Sequence, residues 1–372
     1  MKLALAILAL LLWTPCHASA ADISLDQAQR TRLVGSTIIA GFFGSDRADP
    51  RFRAIIDNLE TGTIGGVLFL ARNITSRPAL QAMVDDVRRC RCNSLPLIAV
   101  DEEGGIVQRL GAKVGFDDIP SAEAVGRMSR PEAARIYGRL ARKLGALGFN
   151  LNLGPVVDLN TDPDSPAIGR LHRSFSANPR KVSAYAALFV AAHRSNGIAT
   201  ALKHFPGHGS ARADSHDEVA RVDTSWSNDE LVPYRRLIGK NAVDAIMVGH
   251  LANQRQWGGT ATQDGADAIR RMLRRELGFV GVVVSDDLSM HAVAGERGLA
   301  DAIRSAVRAG VDIVIATRLS DDDETADVGQ IAHAAILAGI ASGEIDWTTI
   351  ERAGRRIERL KSRIGRKAGL AD

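Results

Sequence analysis

One stretch of the chain concentrates side chains able to move protons and hold polar ligands. It runs Lys203-His204-Phe205-Pro206-Gly207-His208-Gly209-Ser210-Ala211-Arg212-Ala213-Asp214-Ser215-His216. Asp214 and His216 stand two residues apart, close enough for a carboxylate to orient an imidazole and stabilise its charge, which suits a histidine to acid and base work near neutral pH. Gly207 and Gly209 permit an unusual backbone path, and the small residues beyond them suggest a mobile flap. A second reactive group is the acidic pair of Ser285-Asp286-Asp287. Either carboxylate could act as a nucleophile, and spacing alone does not choose between them. His204 and His208 have the i, i+4 spacing of a helical metal pair. Pro206 and Gly207 between them argue against a helix, and no third ligand is obvious nearby, so neither a metal nor another cofactor is expected.

These residues sit at a recurring place in the chain. Eight apolar, β-rich runs follow one another: Thr37–Phe43, Gly66–Leu70, Leu97–Asp101, Phe149–Val157, Ala199–Phe205, Ala245–His250, Gly281–Asp286 and Val311–Ala316. Runs apolar on both faces belong to parallel strands covered by helices. Amphipathic patterns between them, such as Pro78–Arg89, Pro131–Leu147, Arg180–Ser195, Asn228–Ile238, Ala266–Leu277 and Leu299–Ala309, supply those helices. The alternation predicts an α/β fold: a single (β/α)8 TIM-type barrel, with an N-terminal helix over Ser24–Leu33 and extra C-terminal helices over Val328–Ser342 and Trp347–Ile364. Such barrels carry their chemistry on the loops after the strands. Asp101-Glu102-Glu103-Gly104-Gly105, Asp158, Lys203-His204, His250 and Ser285-Asp286-Asp287 all follow or end apolar runs. Their convergence on one rim predicts a polar active-site floor.

The chain of 372 residues is 45% hydrophobic and 24% charged. That composition excludes disordered, collagen-like and coiled-coil classes. Its net charge is +4, but residues 351–372 hold eight Lys/Arg against three Asp/Glu. The basicity therefore belongs to one C-terminal helix rather than a broad face or groove, and no nucleic-acid partner is expected. Met1–Lys2, an apolar run from Leu3 to Trp13, and Ala18-Ser19-Ala20 have the pattern of a signal peptide over residues 1–20. The barrel then occupies 21–372. No later stretch resembles a transmembrane segment, so the expectation is an exported protein, periplasmic or secreted. Cys90 and Cys92 can bridge in an oxidising compartment but cannot build a disulfide framework.

At its most reactive segments the sequence resembles the single-domain bacterial β-N-acetylglucosaminidases (β-N-acetylhexosaminidases) of glycoside hydrolase family 3. The matching segments are Val100-Asp101-Glu102-Glu103-Gly104-Gly105-Ile106-Val107-Gln108-Arg109, Gly169 through Arg173-Ser174-Phe175, the Lys203-to-His216 stretch, and Ser285-Asp286-Asp287-Leu288-Ser289-Met290. They span nearly the whole barrel. The resemblance implies a retaining exo-glycosidase acting on terminal, non-reducing β-linked N-acetylglucosamine, in peptidoglycan fragments or chitooligosaccharides. By position it assigns Asp286 as nucleophile, His216 as acid/base and Asp214 as the partner of His216. Asp101, Arg109, Arg173, Lys203 and His204 match residues that hold the sugar. The chain departs from the family pattern at Ile106, where an Arg is common, and at Ser210-Ala211, where Asp-Thr often stands. The partner implied is a small, GlcNAc-terminated carbohydrate bound by a monomer. A β-glucosidase or phosphorylase of the same family, and a non-catalytic periplasmic sugar-binding protein, are the alternatives.

Overall fold

The computed structural model describes residues 26–213, 219–263, 267–290, 298–318 and 326–365. Eight parallel strands close into a barrel in chain order: β1 (Ile38–Ala40), β2 (Gly66–Phe69), β3 (Leu97–Val100), β4 (Leu151–Asn152), β5 (Ala199–Phe205), β6 (Ala245–Val248), β7 (Val282–Asp287) and β8 (Ile313–Ala316). The last strand pairs with the first, Ile38 opposite Val314 and Ala40 opposite Ala316. Each strand falls inside or beside one of the eight expected apolar runs. The run Phe149–Val157 contributes only Leu151–Asn152 as regular strand. Pro155 lacks the N–H that would continue the ladder, which resumes only at an isolated bridge from Val156 to Lys203.

Side chains alternate along the strands, and the alternation separates two cores. Ile39, Leu68, Ala99, Leu151, Ala201, Met247, Val284 and Ile315 belong to the cluster that fills the barrel. Their neighbours Ile38, Val67, Val100, Leu202, Ile246, Val283 and Val314 belong to a larger cluster shared with the helices.

Those helices are α1 (Gln27–Gly35), α2 (Pro50–Thr61), α3 (Arg77–Arg88), α4 (Ala122–Arg127), α5 (Arg130–Leu147), α6 (Pro179–Ser195), α7 (Val232–Ile238), α8 (Asp267–Glu276, wound as a π-helix), α9 (Gly298–Ala309), α10 (Val328–Ala341) and α11 (Trp347–Gly365). Their starts are written locally. Asp49, Ser76, Ser129 and Asn178 each cap a helix whose first turn contains proline, the arrangement that satisfies free N–H groups without needing one from the imino acid. Helix α11 places Ile357, Leu360 and Ile364 in the barrel's inner cluster beside Leu97, Ala199, Ala245 and Val282, the residues that open or nearly open their strands. It therefore closes the N-terminal end of the barrel and leaves the opposite end for chemistry.

The basic residues of α11 are more than a solvated face. Arg356 bonds Asp312 at 2.8 Å, Arg363 lies 3.7 Å from Asp244, and buried Lys361 donates to Ser94. Asp312 and Asp244 are themselves buried. Part of the C-terminal positive charge thus neutralises carboxylates under the barrel. Cys90 and Cys92, just beyond α3, are joined as a disulfide. Among the described residues no helix is long and apolar enough to cross a membrane. Residues 1–25, on which the expected signal peptide falls, residues 214–218 and the last seven residues lie outside the described set.

Candidate active site

At the C-terminal end of the strands lies a cavity of about 460 Å3, within the ~300–1,000 Å3 range of small-molecule sites. Leu68, Leu153, Met247 and Ile315, from the top of the inner core, form apolar parts of its lining. Its polar lining comes from strand ends and the loops after them: Asp101, Glu103, Arg109, Arg173, Lys203, His204, Asp286 and Asp287. Six residues singled out from sequence, Asp101, Arg109, Arg173, Lys203, His204 and Asp286, therefore meet in one place. Asp214 and His216 lie outside the described residues.

Strand β5 carries two of these groups. Lys203 Nζ stands 2.8 Å from Asp101 Oδ1 and 2.7 Å from Glu103 Oε1. Burial works against its ammonium, yet the two carboxylates hold the Lys203 pKa above its ordinary value. Arg173 grips Glu103 with two parallel bonds, Nε to Oε2 at 3.0 Å and an Nη to Oε1 at 2.8 Å, and donates to the Ala167 carbonyl at 3.0 Å. Burial opposes ionisation of Glu103 too, but Arg173 and Lys203 together drive its pKa well below the carboxylate range. The bidentate pair is rigid, and its outward edge, with Asp101 and Lys203, offers donors and acceptors at fixed places. The strand-end pattern places Glu103 on the polar floor without a particular role; here it is the hub of that floor.

Asp158 is the second hub. It is fully buried, and its carboxylate accepts from His204 Nδ1 at 2.8 Å and from the backbone N–H groups of His204 (3.1 Å) and His208 (2.8 Å). Burial opposes its charge, and the His204 imidazole with these N–H bonds keeps its pKa below the ordinary value. With Nδ1 donating to Asp158, His204 presents Nε2 toward Arg173, 3.5 Å away. His208 is buried and is not among the residues that line the cavity. That burial, reinforced by repulsion from His204, lowers its pKa to about 4, so it stays neutral. No group of three or more metal-ligating side chains forms among the described residues.

Behind this turn lies Glu230, which the sequence did not single out. It is buried, accepts the Leu159 N–H at 3.1 Å, and packs against the backbone of Gly207 and Gly209. A Cβ on Gly207 would fall 2.4 Å from Glu230 Cβ, and one on Gly209 would fall 1.7 Å from the Leu159 carbonyl oxygen. Gly207 also has φ +126°, so both glycines are required, one by conformation and both by space. Burial, with Asp158 nearby, raises the Glu230 pKa well above the ordinary range.

On β7 the acidic pair divides. Asp287 Oδ2 accepts from Thr317 Oγ1 at 2.6 Å and Oδ1 from the Ser289 N–H at 2.9 Å. Burial raises its pKa despite these bonds. Asp286 Oδ1 accepts the Asp287 N–H at 2.8 Å, and its residue lines the cavity. Together the groups can hold a small polyol against an ionic floor and present a carboxylate to one of its carbons.

Comparison with known proteins gives the chemistry a context. Residues 49–360 match the model of the glycosyl hydrolase family 3 N-terminal domain. The chain is 38% identical over 265 residues to the beta-hexosaminidase of Tolumonas auensis, covering 68% of this chain and 75% of that one. It is 33% identical over 329 residues to the beta-hexosaminidase of Xylella fastidiosa, covering 85% and 95%. Among solved structures it is similar to a glycoside hydrolase family 3 beta-N-acetylglucosaminidase from Paenibacillus sp. (TM-score 0.81, 30% identity, 92% of this chain but 64% of that one). It is also similar to a beta-N-acetylhexosaminidase from Beutenbergia cavernae (TM-score 0.78, 26% identity, 90% and 98%).

Proposed function

The chain belongs to glycosyl hydrolase family 3, and on that premise we propose that it is an exo-acting β-N-acetylhexosaminidase removing terminal β-linked N-acetylglucosamine. The observation that carries this reading is the cavity itself, where Asp286 faces the same space as the Asp101–Lys203–Glu103–Arg173 cluster. Beneath its ionic floor the barrel is filled with apolar side chains, so the cavity is closed below, which suits one end-on sugar better than a through-running polymer. Asp101, Arg109, Arg173, Lys203 and His204 hold the ring's hydroxyl and acetamido groups.

In the first step an Asp286 carboxylate oxygen bonds to the anomeric carbon as the bond to the leaving-group oxygen breaks. His216, with Asp214 as the partner the family resemblance assigns to it, gives its proton to that oxygen. In the second step His216 takes a proton from water, the water oxygen bonds to the same carbon, and Asp286 departs. The Asp287 N–H on Asp286 Oδ1 stabilises the carboxylate both as attacking and as leaving group. Asp287, engaged by Thr317 and Ser289, holds the strand end in register.

Peptidoglycan fragments or chitooligosaccharides in an exported compartment are the substrates we propose. The Cys90–Cys92 disulfide supports that location, since such bonds persist where conditions are oxidising. The test is release of nitrophenol from 4-nitrophenyl N-acetyl-β-glucosaminide set against the β-glucoside. The N-acetyl substrate should be turned over at least ~100-fold more efficiently, as expected when polar groups built for the acetamido lose their partner. Equal turnover of the glucoside contradicts the assignment.

A further inference from the structure

Arg109 differs from the other cations of the cavity. Arg173 and Lys203 are locked by carboxylates, whereas the Arg109 guanidinium has no hydrogen-bond or ion-pair partner among the described residues, and its buried Nε makes no bond. Its own side chain therefore does little to hold it in place. The backbone beneath it is fixed instead, and by one residue. Glu102, fully buried and absent from the cavity lining, accepts the N–H of Arg109 at 2.8 Å and that of Leu110 at 3.0 Å, both on Oε2. These bonds close the small hairpin formed by Glu102–Gly104 and Val107–Gln108.

Glu102 is itself clamped from strand β4. Asn152 Oδ1 accepts the Glu102 N–H, and Asn152 Nδ2 donates to the Glu102 carbonyl, each at 3.0 Å. The same amide lies 3.0 Å from His193 Nε2, while His193 Nδ1 lies 2.8 Å from the Phe189 carbonyl. A carbonyl only accepts, so Nδ1 carries the proton, Nε2 accepts from Asn152, and the amide has one orientation. A continuous chain of hydrogen bonds thus runs from α6 through β4 to the backbone of Arg109.

We propose that Glu102 is a positioning residue that sets the reach of Arg109 into the cavity and thereby the affinity for the sugar. The proposal rests on the reading that Arg109 holds the substrate. Burial raises the Glu102 pKa to about 8, so at neutral pH it works as an uncharged acceptor of two N–H groups. An amide oxygen can do the same.

The experiment compares KM, kcat and the inhibition constant of free N-acetylglucosamine for E102Q, E102L, R109A and the double variant E102L/R109A. R109A should raise KM and the inhibition constant by about tenfold or more, as expected for loss of charged hydrogen bonds. E102L should approach that loss, and E102Q should recover most of it. The double variant should be within about twofold of R109A alone, because a residue acting through Arg109 has nothing further to remove. Multiplying penalties in the double variant overturns the proposal, as does an E102L that lowers kcat at unchanged KM, or an E102Q as weak as E102L. If E102L does not fold, Glu102→Asp, which withdraws the carboxyl by one methylene, carries the same expectation. An R109A with wild-type KM contradicts the sugar-binding reading of Arg109 and leaves Glu102 no group to act through. A normal E102L beside an impaired R109A contradicts the Glu102 proposal alone.

Discussion

Asp286 and Asp287 share a strand end and a cavity, and their different neighbours give them different work. Asp287 spends both oxygens on Thr317 and Ser289, while Asp286 takes the Asp287 N–H. Spacing could not separate them, because adjacency in sequence says nothing about which carboxylate the next strand engages. Glu102 and Glu230 were hidden for a related reason. Their roles come from burial against backbone N–H groups far away in sequence, and no local pattern marks an acid as buried. Burial leaves a thermodynamic signature at Glu102. Its carboxyl loses a proton near the ordinary carboxylate value when unfolded but near about 8 when folded. Between those values the unfolded chain binds fewer protons, so this residue's contribution to stability is complete below the unfolded pKa and is lost as pH rises toward 8. Thermal unfolding of wild type and E102Q across pH 4.5 to 8 should show the wild type falling steadily relative to the variant. A constant difference would mean Glu102 is not buried as a neutral acid.

The elements were far more legible than the residues. All eight strands coincide with apolar runs because parallel strands under helices are buried on both faces, and several helices were marked by their amphipathic spacing. Asn228–Ile238 reads as one helix but begins as a 3-10 turn before Val232, the turn that carries Glu230 inward. The 102–108 hairpin went unseen, since two- and three-residue strands leave no periodicity to read. The turn after β5 is held from several sides. Trp226 Nε1 donates to the Pro206 carbonyl at 3.1 Å, Asp158 holds the His208 N–H, and Glu230 backs the glycines. Gly209→Ala should cost about 3 kcal/mol of stability and most of the activity, since its Cβ meets backbone that cannot yield. Gly258, at φ +76° with open space around it, is the comparison: alanine there should cost only about 1 kcal/mol and leave kcat intact. Denaturant unfolding and a kcat measurement distinguish the two. Equal, small losses would mean that the turn tolerates more freedom than this packing allows.

For the whole molecule, the two ends of the barrel divide the labour. At the N-terminal end α11 inserts Ile357, Leu360 and Ile364 into the inner core and lends Arg356 and Arg363 to buried aspartates. At the other end the apolar layers stop at Leu68, Leu153, Met247 and Ile315, and the ionic floor begins. The net charge of +4 reports mainly on the first end and says little about the substrate met at the second. The covalent role proposed for Asp286 belongs to that second end. It is tested most directly by incubating the enzyme with a slow, ring-fluorinated N-acetylglucosaminide bearing an activated leaving group, then mapping the modified peptide by mass spectrometry. The account predicts an N-acetylglucosaminyl adduct on Asp286 and a first-formed product that keeps the β configuration in the unmodified reaction. An adduct on Asp287 or another residue, or an α-configured product, would contradict it.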